Sequence, residues 1–245
     1  MKKSQRRLDD VLIERGDVRD THEAFIFVTE GRVMVNGQKA VSPAQRVADD
    51  DEIMMRHARA GEFVGRGALK IEAALKEFAI SAEGKICADI GAATGGFTEV
   101  LLRSGAAKVY AIDTAYGKLA PKIRQDPRVV VREKTDVRHM EALPEPVDLV
   151  TIDVSLISLR DIVPHAKRLA APHASVLALF KPQYETRDPR VLHKGVVSDA
   201  RVRERMRDEF VAWVRAHGWQ VMQIIESPIR GAKGNVEYLL HLTRQ

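Results

Sequence analysis

This sequence of 245 residues predicts an α/β fold, with a seven-stranded, mostly parallel sheet behind a small N-terminal α+β module. Three observations carry that expectation. From Ile86 onward, short apolar runs alternate with helical patterns. The first run passes into a helix through Asp89-Ile90-Gly91-Ala92-Ala93-Thr94-Gly95-Gly96-Phe97-Thr98, a turn with almost no side-chain bulk. Before it, a separate stretch shows two short helical stripes and an Asn-Gly hairpin signal.

In order along the chain, Leu8, Val11 and Leu12 form one apolar stripe. Ala24, Phe25 and Val28 form another after Gly16 and Asp20-Thr21, so two short helices are expected between residues 8 and 28. Gly31 to Lys39 alternates apolar and polar residues and turns at Asn36-Gly37. Pro43, Val47 and the acidic run Asp49-Asp50-Asp51-Glu52 read as a loop entering a short strand at Ile53-Met54-Met55. Gly, Ala and charge dominate Arg56 to Gly67, and the division expected is 1–59, a linker at 60–67, and a large domain at 68–245. Phe63 and Val64 either dock that linker or begin the larger core.

A helix is expected from Ala68 to Phe78, with Leu69, Ile71, Leu75 and Phe78 on one face and Lys70 toward its edge. The seven strands are Ile86 to Ile90, Lys108 to Asp113, Val129 to Glu133, Val147 to Val154, Ser175 to Lys181, Gln220 to Glu226 and Val236 to Thr243. Helices fit near 97–104, 117–125, 158–170 and 199–217. Ser227 to Asn235 is too short for a crossover helix, so the last two strands should pair antiparallel.

Composition bounds the function. A 45% hydrophobic content supports a sizeable core, and a net charge of +5 from 39 basic and 34 acidic residues leans weakly toward a polyanionic partner. Cys87, the sole cysteine, rules out a disulfide framework and reads as a buried structural thiol. The basic start leads into Leu8-Asp9-Asp10 instead of an apolar stretch, and no segment is long enough to span a membrane, so a cytoplasmic protein is expected. The eight histidines lack metal-ligand spacing, and no metal is expected.

In a Rossmann-like sheet, ligands gather outside the carboxyl ends of the strands. The turn glycines fall at 91, 95 and 96 with alanine at 93, which departs from G-x-G-x-x-G and favours a nucleoside-bearing cofactor other than a dinucleotide. Asp113, at the end of the second strand, can accept both ribose hydroxyls, and Asp136 can accept an adenine amino hydrogen. Asp153, Lys181 and Glu237 stand at further strand ends. Any one acidic residue there can be only a helix cap, but a lysine drawn out of water needs a partner such as Asp153 or Glu237.

The N-terminal residues Arg7-Leu8-Asp9, Leu12, Gly16, Ala24, Gly31, Val33, Val35-Asn36-Gly37, Pro43, Val47, Asp51 and Ile53 resemble the S-four RNA-binding domain. Thr21-His22 stands where that family has Ser-Arg, which removes one phosphate contact. The RNA-facing candidates are Lys3, Arg6, Arg7, Arg15, Arg19 and Arg32, joined by Arg66 in the linker.

Residues 64–245 resemble FtsJ-like S-adenosylmethionine-dependent RNA 2′-O-methyltransferases, and the whole chain resembles the TlyA (haemolysin A) family. The matching stretches are Arg66-Gly67-Ala68-Leu69-Lys70, the glycine turn, Asp153 to Leu159, Lys181-Pro182-Gln183-Tyr184-Glu185, Lys194-Gly195-Val196-Val197 and Gly234-Asn235-Val236-Glu237-Tyr238. The resemblance implies a catalytic tetrad of Lys70, Asp153, Lys181 and Glu237, with Lys181 as base. It implies S-adenosylmethionine held by Gly91, Ala93, Thr94, Gly95, Gly96, Phe97, Asp113, Asp136 and Asp153. It also implies cytidine of ribosomal RNA in assembled subunits as substrate. Departures are Ala92 and Gly65 for serine, and Leu156 and Tyr184 for phenylalanine; Ala92 removes a hydroxyl contact to the cofactor.

Rival readings are a noncatalytic ribosome-binding factor and a membrane-active haemolysin, the second unsupported by any amphipathic segment. A base methyltransferase would lack its Asp-Pro-Pro-Tyr-like motif or strand-end cysteine, and a pseudouridine synthase has no use for the glycine turn.

Overall fold

The structure, a computed structural model, describes residues 5–18, 20–29, 31–55, 63–186, 188–231 and 233–245. Lys3, Arg19, residues 56–62, which span the end of the expected N-terminal domain and the start of the expected linker, and the His22 side chain lie outside the described residues.

The N-terminal part comprises β1 (Gln5–Arg7), α1 (Leu8–Glu14), α2 (Thr21–Thr29), β2 (Val33–Val35), β3 (Gln38–Lys39), β4 (Arg46–Ala48) and β5 (Ile53–Met55). Asn36 and Gly37 both take positive φ, 51° and 75°, as a two-residue hairpin turn requires, and β2 pairs antiparallel with β3 and β5. Leu8, Leu12, Ala24, Val28, Val33, Val35, Val47 and Ile53 close a small core over these strands. Sequence periodicity missed the antiparallel pair β1–β4, because Gln5-Arg6-Arg7 carries no apolar alternation.

In the larger part follow α3 (Ala68–Glu77), β6 (Ile86–Ile90), α4 (Gly96–Arg103), β7 (Lys108–Ile112), α5 (Pro121–Arg124), β8 (Val129–Arg132), β9 (Val147–Ile152), α6 (Val163–Leu169), β10 (Ala170–Phe180), α7 (Pro182–Glu185), α8 (Ala200–Ala216), β11 (Trp219–Glu226) and β12 (Tyr238–Arg244). The sheet runs β11-β12-β10-β9-β6-β7-β8, with β12 antiparallel to both neighbours as the short connection before it demands. Its other pairings are parallel. The chain builds β6, β7 and β8 outward, then returns to lay β9 on the opposite side of β6, so the strand order reverses between β6 and β9. Ligands bind beyond the carboxyl ends at such a reversal.

Alternation along the buried strands divides the core. Cys87 faces α3 and α4 with Ile71, Phe97, Leu101 and Val109, while Ala88 and Ile90 face α6 and α8 with Val163, Phe210 and Trp219. Burial pushes the Cys87 thiol up to about 12, so it is an inert packing group.

Three elements differ from expectation, each with a proline at the point of difference. α5 shrinks to four residues because Pro121 holds Ala120 at φ −57°, ψ 141°, outside the helix. A helix expected over 158–170 splits into a 3₁₀ turn at Leu159–Asp161 and α6, which has Pro164 in its first turn. β10 begins before Ser175, and its pairing with β9 shifts register between Ala170 and Ser175, around Pro172.

α3 also faces differently. Leu69 is 43% exposed, whereas Lys70 is buried on the face with Ala68, Ile71, Ala74 and Leu75. The ammonium is tolerated there because Glu237 meets it.

Candidate active site

The glycine turn lies at the reversal. Gly91 N–H donates to the Ile112 carbonyl at 2.8 Å, and Asp153 N–H donates to the Ile90 carbonyl at 2.9 Å, so the ends of β6, β7 and β9 are stitched together. Gly91 sits at φ +85°, and a β-carbon there would lie 2.3 Å from the Asp153 carbonyl oxygen. Ala93 adopts φ +47°, the left-handed region, although it carries a side chain.

Two adjoining cavities open here. The larger, ≈ 770 Å³, is bordered by Gly91, Ala92, Ala93, Thr94, Gly96 and Phe97 on one side and by Lys70, Asp153, Lys181 and Glu237 on the other. The smaller, ≈ 420 Å³, is bordered by Asp113, Thr135, Asp136 and Val137 and shares Gly91, Ala93, Asp153, Ser155 and Leu156 with the first.

Lys70, Asp153, Lys181 and Glu237 therefore converge from four separate elements. Lys181 Nζ is 2.5 Å from Asp153 Oδ1 and donates to Ser155 Oγ at 3.0 Å. Lys70 Nζ is 2.5 Å from Glu237 Oε2. Both lysines and Glu237 are buried, so each ion pair is a strong local constraint. A β-carbon on Gly231 would lie 2.4 Å from Glu237 Oε1, so that glycine makes room for the carboxylate.

Asp113 accepts backbone N–H groups from Ala93 at 2.8 Å and Ala115 at 2.7 Å. A carboxylate has about four acceptor positions, so two remain for other donors. Asp136 is more committed: the Arg138 guanidinium donates to both of its oxygens, the Arg138 backbone N–H donates to Oδ1, and that guanidinium pulls the carboxyl down to about 2. Gly95 does not border either cavity. It takes φ +94° at the start of α4, and a β-carbon would press on the Leu119 and Ile123 side chains, so its smallness serves packing.

Arg66 borders the larger cavity and donates to the Arg230 carbonyl at 3.5 Å. The other arginine candidates sit in the N-terminal part, where Arg6 pairs with Glu14, Arg7 with Asp9 at 2.5 Å, Arg15 with Asp17 at 2.9 Å, and Arg32 lies over the Phe27 ring at 3.9 Å.

Sequence reasoning missed several supports. Asp89 is fully buried and accepts from Thr98 Oγ1 at 2.7 Å and Thr151 Oγ1 at 2.9 Å; burial pushes its carboxyl up to about 6. Asn235 accepts from Val197 N–H at 3.0 Å and donates to the Gly195 carbonyl at 2.9 Å, tying the Lys194-Gly195 turn to the cavity wall. Glu99 accepts from Val64 N–H at 2.6 Å, and Val64 packs into the larger core. A polar residue inside an otherwise apolar element was the available signal for Asp89 and Glu99. Among the described residues no group of three or more His, Cys, Asp or Glu could hold a metal ion, and no helix is long and apolar enough to cross a membrane.

A mostly parallel sheet with a glycine cradle at its reversal, faced by two ion pairs in which only Asp153 is partly exposed, is the architecture of an α/β transferase. The chain belongs to the FtsJ-like methyltransferase family, whose pattern matches residues 63–244. It is 41% identical over 241 residues to a Mycobacterium tuberculosis protein named 16S/23S rRNA (cytidine-2′-O)-methyltransferase TlyA, covering 98% of this chain and 90% of the relative. A solved structure from Streptococcus thermophilus, described as a hemolysin candidate, superposes with a TM-score of 0.75 at 34% identity, over 98% of this chain and 89% of the other. A shorter likeness, 40% identity over 52 residues, joins 21% of this chain to 26% of the small ribosomal subunit protein uS4 of Streptomyces avermitilis.

Proposed function

We propose that this methyltransferase modifies a ribose 2′-hydroxyl of ribosomal RNA, with cytidine in assembled subunits as acceptor, in the cytoplasm. The observation that carries the reading is the pair of ion pairs, the buried Lys70–Glu237 and the partly exposed Lys181–Asp153, on the wall facing the glycine turn. A hydroxyl is a poor nucleophile near neutral pH, and such a wall supplies a base and a field for the developing alkoxide.

S-adenosylmethionine supplies the methyl group when bound, and the cavities suit it. Gly91 brings the ends of β6 and β9 together beside both cavities without adding bulk, and the two open acceptor positions of Asp113 suit ribose hydroxyls. Gly91, Ala93, Thr94, Gly96 and Phe97 would hold the methionine side, Gly95 would shape the start of α4, Asp113 would bind the sugar, and Asp136 and Val137 would border the adenine. In our reading Lys181 Nζ, having first released its own proton to solvent, takes the proton leaving the hydroxyl, while Asp153 and Ser155 aim that nitrogen. Lys70 and Glu237 position the hydroxyl oxygen in line with the transferred carbon.

Residues 1–59 form the RNA-binding part in this account, 60–67 join it on, and 68–245 carry catalysis. Its arginines, with Lys3 and Arg19, place phosphates without reading bases, and Arg66 guides the acceptor strand to the cavity. A deletion strain should lose one or more 2′-O-methylcytidines from its ribosomal RNA, mapped by mass spectrometry, and regain them with the wild-type gene. Unchanged ribose methylation would favour a noncatalytic ribosome-binding role.

A further inference from the structure

We propose that Glu185 is a positioning residue for methyl transfer, which locks Lys181 against Asp153 by tying together the two loops that carry them. The inference rests on the reading of Lys181 as base. Glu185 closes α7, which starts directly after Lys181, and its side chain is 2% exposed. It borders neither cavity, although its neighbours Tyr184 and Thr186 border the larger one.

Its carboxylate is spent on the other loop. Ser158 Oγ donates to it at 2.6 Å, Leu159 N–H at 2.6 Å and Arg160 Nη1 at 2.8 Å. Ser158 Oγ in turn accepts from Arg160 N–H at 3.1 Å. A buried carboxylate is costly unless its lone pairs are used, and here burial pushes the carboxyl up against the pull of these donors.

The loop from Asp153 to Leu159 is thereby pinned at two points. Asp153 N–H is held by the Ile90 carbonyl at 2.9 Å, and Leu159 N–H is held by Glu185. Between the pins, Ser155 Oγ receives Lys181 Nζ, and Leu156 stands 88% exposed at φ +67° where the two cavities meet. The same tie acts on the lysine side. α7 has four residues, too few to hold its own shape in water, so the direction in which Lys181 leaves β10 depends on where Glu185 is anchored. Releasing one carboxylate loosens the base and both of its orienting partners together.

The experiment compares wild type, Glu185→Ala, Glu185→Gln and Lys181→Ala in single turnovers on ribosomal subunits with saturating S-adenosylmethionine. Cofactor affinity by calorimetry and the pH dependence of the rate are measured alongside. Glu185→Ala should lose about 10²-fold in rate, the cost of a displacement of roughly 1 Å at a reacting group, while cofactor affinity stays within about threefold. Its rising pH limb should move, because Lys181 loses its fixed neighbours; a role confined to folding would leave that limb in place. Glu185→Gln keeps an oxygen for Leu159 N–H and should recover about tenfold. If Glu185→Ala does not fold, Glu185→Gln carries the test, through a reduced rate and a displaced limb. A folded variant with the wild-type rate, or one whose rate falls with an unmoved pH limb, overturns the inference. Full activity in Lys181→Ala, or no ribose transfer by wild type, instead contradicts the underlying reading of the site.

Discussion

Gly91→Ala separates the effect of the turn's backbone from that of its side chains. The residue sits at φ +85°, where an L side chain is strained, and the new β-carbon would lie 2.3 Å from the Asp153 carbonyl oxygen and 2.9 Å from its carbonyl carbon. Neither is the tip of a flexible side chain. To reach ordinary contact, the ends of β6 and β9 must part by about 1 Å. The strained φ alone costs about 1–3 kcal/mol, which at 2–4 °C per kcal/mol lowers the melting temperature of a chain this size by roughly 2–12 °C. Asp153 moves with its carbonyl, so Lys181 loses register, and turnover should fall about 10²-fold. The assay pairs thermal melting with methyl transfer to ribosomal subunits. Gly95→Ala is the comparison: it is strained as well, at φ +94°, but its β-carbon meets the Leu119 and Ile123 side chains instead of the Asp153 backbone, so it should lower the melting temperature with a smaller loss of turnover than Gly91→Ala. Wild-type melting and turnover in Gly91→Ala would refute the reasoning.

The other predictions concern charge. Asp89, raised to about 6 by burial, binds in the native state a proton that the unfolded chain releases near pH 4. Its contribution to stability is thus fully present below about pH 4 and lost as pH rises through about 6, on the order of 3 kcal/mol. Urea titrations from pH 4 to 7 should show wild type losing stability relative to Asp89→Asn across that window; a constant difference would contradict the assignment. Arg66→Ala should weaken binding to ribosomal RNA and reduce the salt slope of log affinity by about 0.7–0.9, with cofactor affinity unchanged. An unaltered slope would remove Arg66 from the phosphate path.

Much of the fold was legible because alternation and turn chemistry are local. Asn36-Gly37 announced its hairpin, and the short segment before β12 forced an antiparallel pairing. What escaped the sequence was decided by tertiary partners or by proline. Gln5-Arg6-Arg7 became a strand only because β4 lay beside it, and Pro121 and Pro164 set where two helices begin. Hydropathy placed Leu69 inside and Lys70 at the edge, whereas the ion pair with Glu237, 167 residues away, drew Lys70 inward. Strand-end logic singled out Asp113, Asp153, Lys181 and Glu237, which the fold brings to the two adjoining cavities, but the turn glycines looked alike in sequence. Only the structure separates Gly91, which crowds the Asp153 backbone, from Gly95, which packs on α5. Glu185 gave no periodic signal at all, since its partners are two hydrogen-bond donors and a guanidinium in another loop.

Proton removal from a ribose hydroxyl of ribosomal RNA by Lys181 is decided by incubating purified wild-type and Lys181→Ala proteins with S-adenosylmethionine and ribosomal subunits, then mapping 2′-O-methyl groups by mass spectrometry. Wild type should yield 2′-O-methylcytidine and Lys181→Ala none above background, at equal cofactor binding. Equal methylation by the two proteins, or methylation of a base instead of the ribose, would contradict it.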